Sequence, residues 1–209
     1  GRGVLLGSVP GVAPASVVIV GAGMVGTSAA KAFIGLGAQV HVLDKNIEQL
    51  RIIKNVLGNR VTTIYANQPA VERCIAFADV VVTSILERGA QTPQIITREM
   101  VKKMKNLSVL IDYSVDEGGA SETSRPTLLS DPVYIDEGVI HYCVPNVTSG
   151  VNRTTSIALS NVLSKYLIQI AEMGIEKAMK DSHVLKKGLY TLEGRNMQPV
   201  LNRLFGIKI

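Results

Sequence analysis

A chain of 209 residues is long enough for one sizeable core, or for a domain of about 150 residues with an appendage, and short for two full domains. With 46% hydrophobic and 19% charged residues it is globular, and no apolar run nears the roughly 20 residues of a membrane span, so a soluble protein with no membrane partner is expected. The net charge of +5 raises nucleic acid as a partner, but the basic residues are dispersed and six Tyr, three Phe and no Trp offer little stacking surface, so none is expected.

Val17 to Val20 is a short β-branched run between Pro14 and Gly21, the mark of a strand buried on both faces. From Met24 to Leu36 apolar residues recur at helical spacing, with Gly35 and Gly37 as a stop, and Gln39 to Leu43 gives a second strand. The cycle repeats with a helix across Asn46 to Val56, a strand across Val61 to Tyr65, and a helix from about Asn67, where Asn67 can cap and Pro69 sits in the first turn. Asp79 to Ser84 is the fourth strand. After a loop with Gly89 and Pro93, Thr97 caps a short helix ending near Lys103, where the cluster Lys102, Lys103 and Lys105 suits the negative pole of the helix dipole. Ser108 to Ile111 is a fifth strand and Val139 to Cys143 a sixth.

Strands alternating with helices at this spacing predict an α/β fold, a Rossmann-type doubly wound parallel sheet with helices on both faces. Right-handed crossovers make two three-strand halves about a central switch point the natural layout, with a ligand at the carboxyl ends of the strands. Residues 1–150 are read as this domain. After Asn146 the pattern turns helical, across Thr154 to Glu172, Ile175 to Lys180 and Met197 to Leu204, with no strand. Residues 151–209 are therefore read as a C-terminal helical segment that covers the first domain or packs on something outside the chain.

Gly21-Ala22-Gly23-Met24-Val25-Gly26 is a G-x-G-x-x-G between a predicted strand and a predicted helix. In that position the first glycine permits the tight turn, the second leaves room for a pyrophosphate against the backbone, and the third lets helix and strand pack closely. The helix start, at Met24, Val25 and Gly26, offers free N–H groups and the positive end of a dipole. Asp44 ends the second strand 18 residues beyond Gly26, near the offset of about 20 at which an acid meets the adenosine ribose. A carboxylate there accepts hydrogen bonds from ribose hydroxyls and repels a 2′-phosphate, which points to NAD; Lys45 beside it pulls the other way. The plainer alternative, in which the glycines only make a turn and Asp44 only caps the helix at Asn46, stays open.

The blocks Gly1-Arg2-Gly3-Val4-Leu5-Leu6-Gly7, Val9 to Pro14, the glycine turn, Gly35-Leu36-Gly37-Ala38, Asp112 through Gly119, Glu122 to Thr127 and His141-Tyr142-Cys143-Val144 together resemble the cofactor domain and C-terminal segment of bacterial alanine dehydrogenase. The related domain of proton-translocating transhydrogenase is a weaker likeness. The resemblance implies NAD-dependent, reversible oxidative deamination of L-alanine to pyruvate and ammonia, by hydride transfer from the substrate Cα to nicotinamide C4 and hydrolysis of an iminium. It implies an active-site aspartate beside the nicotinamide at Asp116, within Val115-Asp116-Glu117-Gly118-Gly119. It further implies that Val144 and Asn146 line the nicotinamide end, with Asn146 on the carboxamide, and that Ile85 and Leu86 flank the adenosine and nicotinamide ribose region. A turn-making role for Asp116 is the alternative.

The chain departs from the family pattern at Ala66, Glu87-Arg88, Glu117, Ala120-Ser121 and Val147-Thr148-Ser149, which bears on the substrate more than on the cofactor. In the family the substrate-binding Arg and Lys and the catalytic His lie in an N-terminal domain ahead of the Gly1 segment. Gly1 to Gly7 lack an initiator Met and a secretion signal's length and flanks, so the chain is read as cut from within a longer one, its tail helices belonging with that domain. The longer protein is expected to form a homo-oligomer.

His41, His141 and His183 read as structural or solvated. No His, Cys, Asp or Glu pair has metal-ligand spacing, so no metal is expected. Cys74 and Cys143 have no motif spacing, and a reducing, cytoplasmic setting fits them. Two further functions compete with the amino-acid dehydrogenase: a stand-alone NAD(H)-binding module or transhydrogenase-like domain acting with a partner, and an enzyme that reductively joins an oxo acid to an amine.

Overall fold

β-Branched side chains suit a pleated surface covered on both sides, and strand β1 (Ser16–Val20) has Val17, Val18 and Ile19 without measurable exposure. In the computed structural model, which describes residues 1–87 and 90–201, it is followed by helix α1 (Met24–Gly35), β2 (Gln39–Asp44), α2 (Ile47–Leu57), β3 (Val61–Tyr65), α3 (Gln68–Phe77) and β4 (Val80–Thr83). Helix α4 (Arg98–Lys102), β5 (Val109–Asp112), β6 (Val133–Asp136) and β7 (Val139–Tyr142) complete a seven-stranded sheet in the order β3-β2-β1-β4-β5-β7-β6. Gly89, read as part of a loop, and Arg88 lie outside the described residues.

The alternation of side chains along each strand divides the core into two layers. Val17 and Ile19 of β1 join Ala30 of α1 and Ile53 and Leu57 of α2 on one face of the sheet. Val18 and Val20 join Val71 and Ile75 of α3 and Met100 of α4 on the other. Each fully buried Val, Leu or Ile side chain contributes about 1.5–3 kcal/mol relative to exposure, so helices on both faces are what makes these strand sequences stable. Asn46, Asn67 and Thr97 cap α2, α3 and α4 by accepting from Glu48 N, Ala70 N and Met100 N at 2.9, 2.9 and 3.2 Å.

β1 pairs in parallel with β2 on one side and β4 on the other, so the strand order reverses between β1 and β4 and opens a crevice at their carboxyl ends. The Rossmann-type α/β fold read from the sequence is the observed one. The sheet is not wholly parallel, however. β6, a strand the sequence reading passed over, runs antiparallel to β7 at the sheet edge. The two are joined by Glu137 and Gly138, both left-handed at φ 48° and 75°, the backbone of a two-residue hairpin turn whose twist matches the strands.

The chain divides into two compact units, Gly1–Val147 and Thr148–Ile209. The described residues of the second include α5 (Asn152–Met173), α6 (Ile175–Asp181), α7 (His183–Gly188) and a small antiparallel hairpin of β8 (Thr191–Leu192) and β9 (Arg195–Asn196). The expectation of no strand in this segment is thereby corrected, and again a Glu-Gly turn, Glu193-Gly194 at φ 49° and 76°, makes the hairpin. α5 buries none of its side chains, and Ile157, Val162 and Leu167 on it are exposed. Of the helix expected from Met197 to Leu204, residues 199–201 are helical and residues 202–204 lie outside the described residues. No helix among the described residues is long and apolar enough to cross a membrane.

Candidate functional site

The turn after β1 is forced by contacts no side chain could survive. A Cβ on Gly21, which sits at φ +111°, would lie 2.5 Å from the Ser84 carbonyl oxygen, and one on Gly26 would lie 1.8 Å from the Gly21 carbonyl oxygen. Gly23 differs: its φ is −68° and an added Cβ would meet nothing within 4 Å. The fold therefore has no steric need for glycine at 23. The open space before it belongs to a cleft whose wall includes Gly21 and Gly23, and a ligand group approaching the backbone would fill it. Gly23 is also the N-cap of α1 and supplies no side-chain acceptor to the first amides of the helix, leaving them and the positive end of the dipole available to an anion. The Met24 side chain is 87% exposed and Val25 is exposed, and neither lines the cleft. What these two residues can present to a ligand is backbone N–H.

Asp44, at the end of β2, faces the turn. Its Oδ2 accepts from Ala22 N and its Oδ1 from Asn46 N, both at 2.7 Å. The capping of α2 falls to Asn46 rather than to Asp44. Each carboxylate oxygen has two lone pairs, so Asp44 keeps acceptor capacity while its orientation is fixed by the same loop that holds the glycines. Asp44, Lys45, Gln49, Ala66, Asn67, Ile85, Leu86 and Glu87 extend the wall of the cleft, which has a volume of about 330 Å³. The turn is braced from β4 by Ser84, whose Oγ donates to Gly21 O at 3.1 Å.

Of the expected site residues, Gly21, Gly23, Asp44, Ile85 and Leu86 line this one cleft, Gly26 lies buried beneath it, and Asp116, Val144 and Asn146 do not line it. Asp116 and Asn146 are instead brought together in a second group: Asn146, left-handed at φ 47°, donates its backbone N–H to both Asp116 oxygens at 3.0 and 3.1 Å. Val144, two residues earlier, is buried. The two groups are linked by Ser114, next to the turn that carries Asp116, whose Oγ accepts from Ile85 N at 3.0 Å.

Behind that link stands a residue the sequence reading passed over. Asp112, buried at the end of β5, accepts from Thr83 Oγ1 and Ser114 N on one oxygen and from Ala120 N and Ser124 Oγ on the other, at 2.6 to 2.9 Å. A carboxylate ending a strand that is otherwise apolar is the signal that could have found it, since a buried charge has to be satisfied by several donors. Ser84 and Ser114 carry no comparable signal.

The histidines His141 and His41 and the lysine cluster have structural partners. His141 is buried, stacked on Tyr134 at 4.9 Å, with Nδ1 donating to Val139 O and Nε2 facing Thr123 Oγ1 at 2.9 and 2.8 Å. Burial lowers its pKa, as it does for His41, which packs edge-on against Phe77. Lys102, Lys103 and Lys105 are each ion-paired, to Glu99, Glu72 and Asp79. Cys74 and Cys143 are buried free thiols. Among the described residues no three His, Cys, Asp or Glu side chains gather as metal ligands.

A glycine turn, a helix start and an acid at the end of the second strand, placed at the switch point of a doubly wound sheet, define a dinucleotide-binding α/β domain. Residues 1–199 match the family of the alanine dehydrogenase/PNT C-terminal domain. The chain is 45% identical over 196 residues to the alanine dehydrogenase of Methanococcus maripaludis, covering 93% of this chain and 52% of that protein. Among solved structures it is similar to an L-alanine dehydrogenase, with a TM-score of 0.91 at 41% identity over 99% of this chain and 57% of the other. It is also similar to the transhydrogenase of Sinorhizobium meliloti, with a TM-score of 0.74 at 25% identity over 87% and 53%. The chain belongs to the alanine dehydrogenase/PNT C-terminal domain family, and it spans about half the length of the curated relatives it matches. Membership and fold together imply a nicotinamide dinucleotide as cofactor.

Proposed function

We propose that this chain is the cofactor-binding part of an NAD-dependent alanine dehydrogenase, which converts L-alanine, NAD and water reversibly to pyruvate, ammonia and NADH. The observation that carries the reading is the space before Gly23, where the protein meets no part of itself, with Asp44 facing the same turn. Bound NAD supplies the hydride acceptor at its nicotinamide ring. The backbone N–H groups of Met24, Val25 and Gly26 hold the diphosphate, and Asp44 accepts from the adenosine ribose hydroxyls and disfavours a 2′-phosphate. Ile85 and Leu86 flank the sugars, Val144 and Asn146 line the nicotinamide end, and Asp116 is the active-site aspartate beside it. The hydrogen bonds from Asn146 N to Asp116 support placing those last two at one site.

The substrate side of the reaction is assigned to a further domain outside these residues, against which the exposed apolar side chains of α5 pack; the longer protein is a cytoplasmic homo-oligomer. Calorimetric titration with NAD and NADP, together with an alanine oxidation assay, tests the reading. NAD is expected to bind more tightly, and turnover to require the longer protein; clear NADP preference overturns it. The similarity to a transhydrogenase supports a second reading, a cofactor domain that acts on a partner. NAD binding by a chain that never acquires alanine oxidation, even in its full natural length, favours that reading instead.

A further inference from the structure

We propose that Glu87 is a specificity-determining residue of the cleft, which holds Lys45 in an ion pair and so denies a 2′-phosphorylated dinucleotide its cation. The inference rests on the cofactor reading above and deepens it. Among the described residues lining the cleft, the ionisable side chains are Asp44, Lys45 and Glu87. Lys45 follows directly on β2 and Glu87 stands beyond β4, so the two belong to different loops, and Lys45 Nζ reaches Glu87 Oε2 at 3.8 Å. Among the described residues the charges of the wall therefore sum to −1, and the Lys45 ammonium is already engaged.

A phosphate on the 2′-hydroxyl brings a charge of about −1.5 to −2 to a ribose that Asp44 addresses. It meets that carboxylate, a second carboxylate at Glu87, and a lysine whose charge the second carboxylate offsets. Without Glu87 the described charges of the wall sum to zero and Lys45 is free to turn toward the phosphate. The side-chain amides on the wall, Gln49, Asn67 and Gln68, are uncharged donors that do not replace a cation, and Gln68 Nε2 already points to Met100 Sδ at 3.6 Å. Both partners of the pair are well exposed, 78% and 51%, so the effect is modest and screened by salt.

The test is a titration of this chain with NADH and with NADPH, followed by fluorescence at low ionic strength, for the wild type, Glu87→Gln, Lys45→Met and the double variant. With Lys45 present, Glu87→Gln is expected to raise NADPH affinity relative to NADH by about 3–10-fold, and by less than about 2-fold with Met at 45, as coupled residues behave. A ratio that does not move in Glu87→Gln overturns the inference, as does an equal rise in both backgrounds, because the acid then acts by plain repulsion and not by holding Lys45. A wild-type chain that binds neither dinucleotide overturns the cofactor reading itself and takes this inference with it, whereas a wild type that binds NADH while the ratio stays fixed leaves the cofactor reading standing.

Discussion

After β1 the chain turns because Gly21 and Gly26 leave no room for a side chain, whereas after β5 it turns around one buried carboxylate, that of Asp112, which accepts hydrogen bonds from Thr83, Ser114, Ala120 and Ser124. Both loops lie at the carboxyl ends of parallel strands and each carries part of the candidate site. The first is shaped mainly by sterics, with polar braces from Asp44 and Ser84; the second is held by satisfied polar groups and is only as good as its least satisfied member. Equal precision is thus reached by two different means. The two respond differently to substitution.

The largest effect is expected at Gly26. Its added Cβ at 1.8 Å from a backbone oxygen has no flexible neighbour to push aside, so Gly26→Ala should cost about 3 kcal/mol or more, at the upper end for overpacking, measured as a fall in urea midpoint at unchanged slope. Asp112→Asn comes next. An amide keeps the shape of the carboxylate but puts an NH₂ where donors already point, so about 2 kcal/mol should be lost. If Asp112→Asn proved as stable as wild type, the second loop would not depend on that charge and the contrast between the two loops would fail.

The difference between the loops also explains what the sequence revealed. Steric necessity writes itself in residue type: G-x-G-x-x-G between a β-branched run and an amphipathic helix is readable because nothing but glycine fits at 21 and 26. The strand and helix alternation and the capping residues Asn67 and Thr97 were legible for the same local reason. Asp112 was legible only as a lone carboxylate ending an apolar strand, because the donors that define its role lie up to 29 residues away in sequence and only the fold assembles them. The hairpins β6–β7 and β8–β9 were overlooked through their turns. Both use Glu-Gly where the familiar signal is Asn-Gly or Asp-Gly, and Glu is a poor left-handed residue whose φ of 48° or 49° is imposed by the strands on either side. The pairing of Asp116 with Asn146 spans 30 residues and joins two loops; only the resemblance to a family put them at one site.

A smaller effect, and one confined to binding, is expected at Gly23. Its Cβ would have free space on the protein side, and its φ of −68° is open to any residue. Gly23→Ala should therefore leave the unfolding free energy from urea titration within about 1 kcal/mol of wild type, the loss of a better N-cap residue being its main cost. NADH affinity should nevertheless fall about tenfold, or about 1.4 kcal/mol. Together with Gly26→Ala it separates the two uses of glycine in one motif, one for the fold and one for the ligand. Loss of stability without loss of affinity at Gly23 would reverse that assignment.

The smallest effect is a pH dependence to which the second loop contributes through His141. His141 reaches that loop through Thr123, whose Oγ1 also meets Ser121, next to the residues that hold Asp112. Burial lowers the His141 pKa below its ordinary 6.5, outweighing the pull of Val139 O, Asp136 and Asp112 in the other direction, and Arg98 adds to the lowering. The folded protein thus binds this proton less readily than the unfolded chain. The His141 contribution to stability should be complete above about pH 7 and decline as the pH falls through 6.5, because the unfolded state takes up the proton first. His41, also lowered by burial, contributes in the same sense. Asp79 and Asp136 do not confuse the window: their lowered pKa values add stability that is lost only as the pH falls below the ordinary 3.8. Thermal unfolding at pH 7.5 and 5.5 should show a lower midpoint at 5.5, and a smaller drop in His141→Gln, which keeps a polar side chain but cannot titrate. An equal drop in the variant would place the proton uptake at His41 and leave the second loop out of the pH dependence.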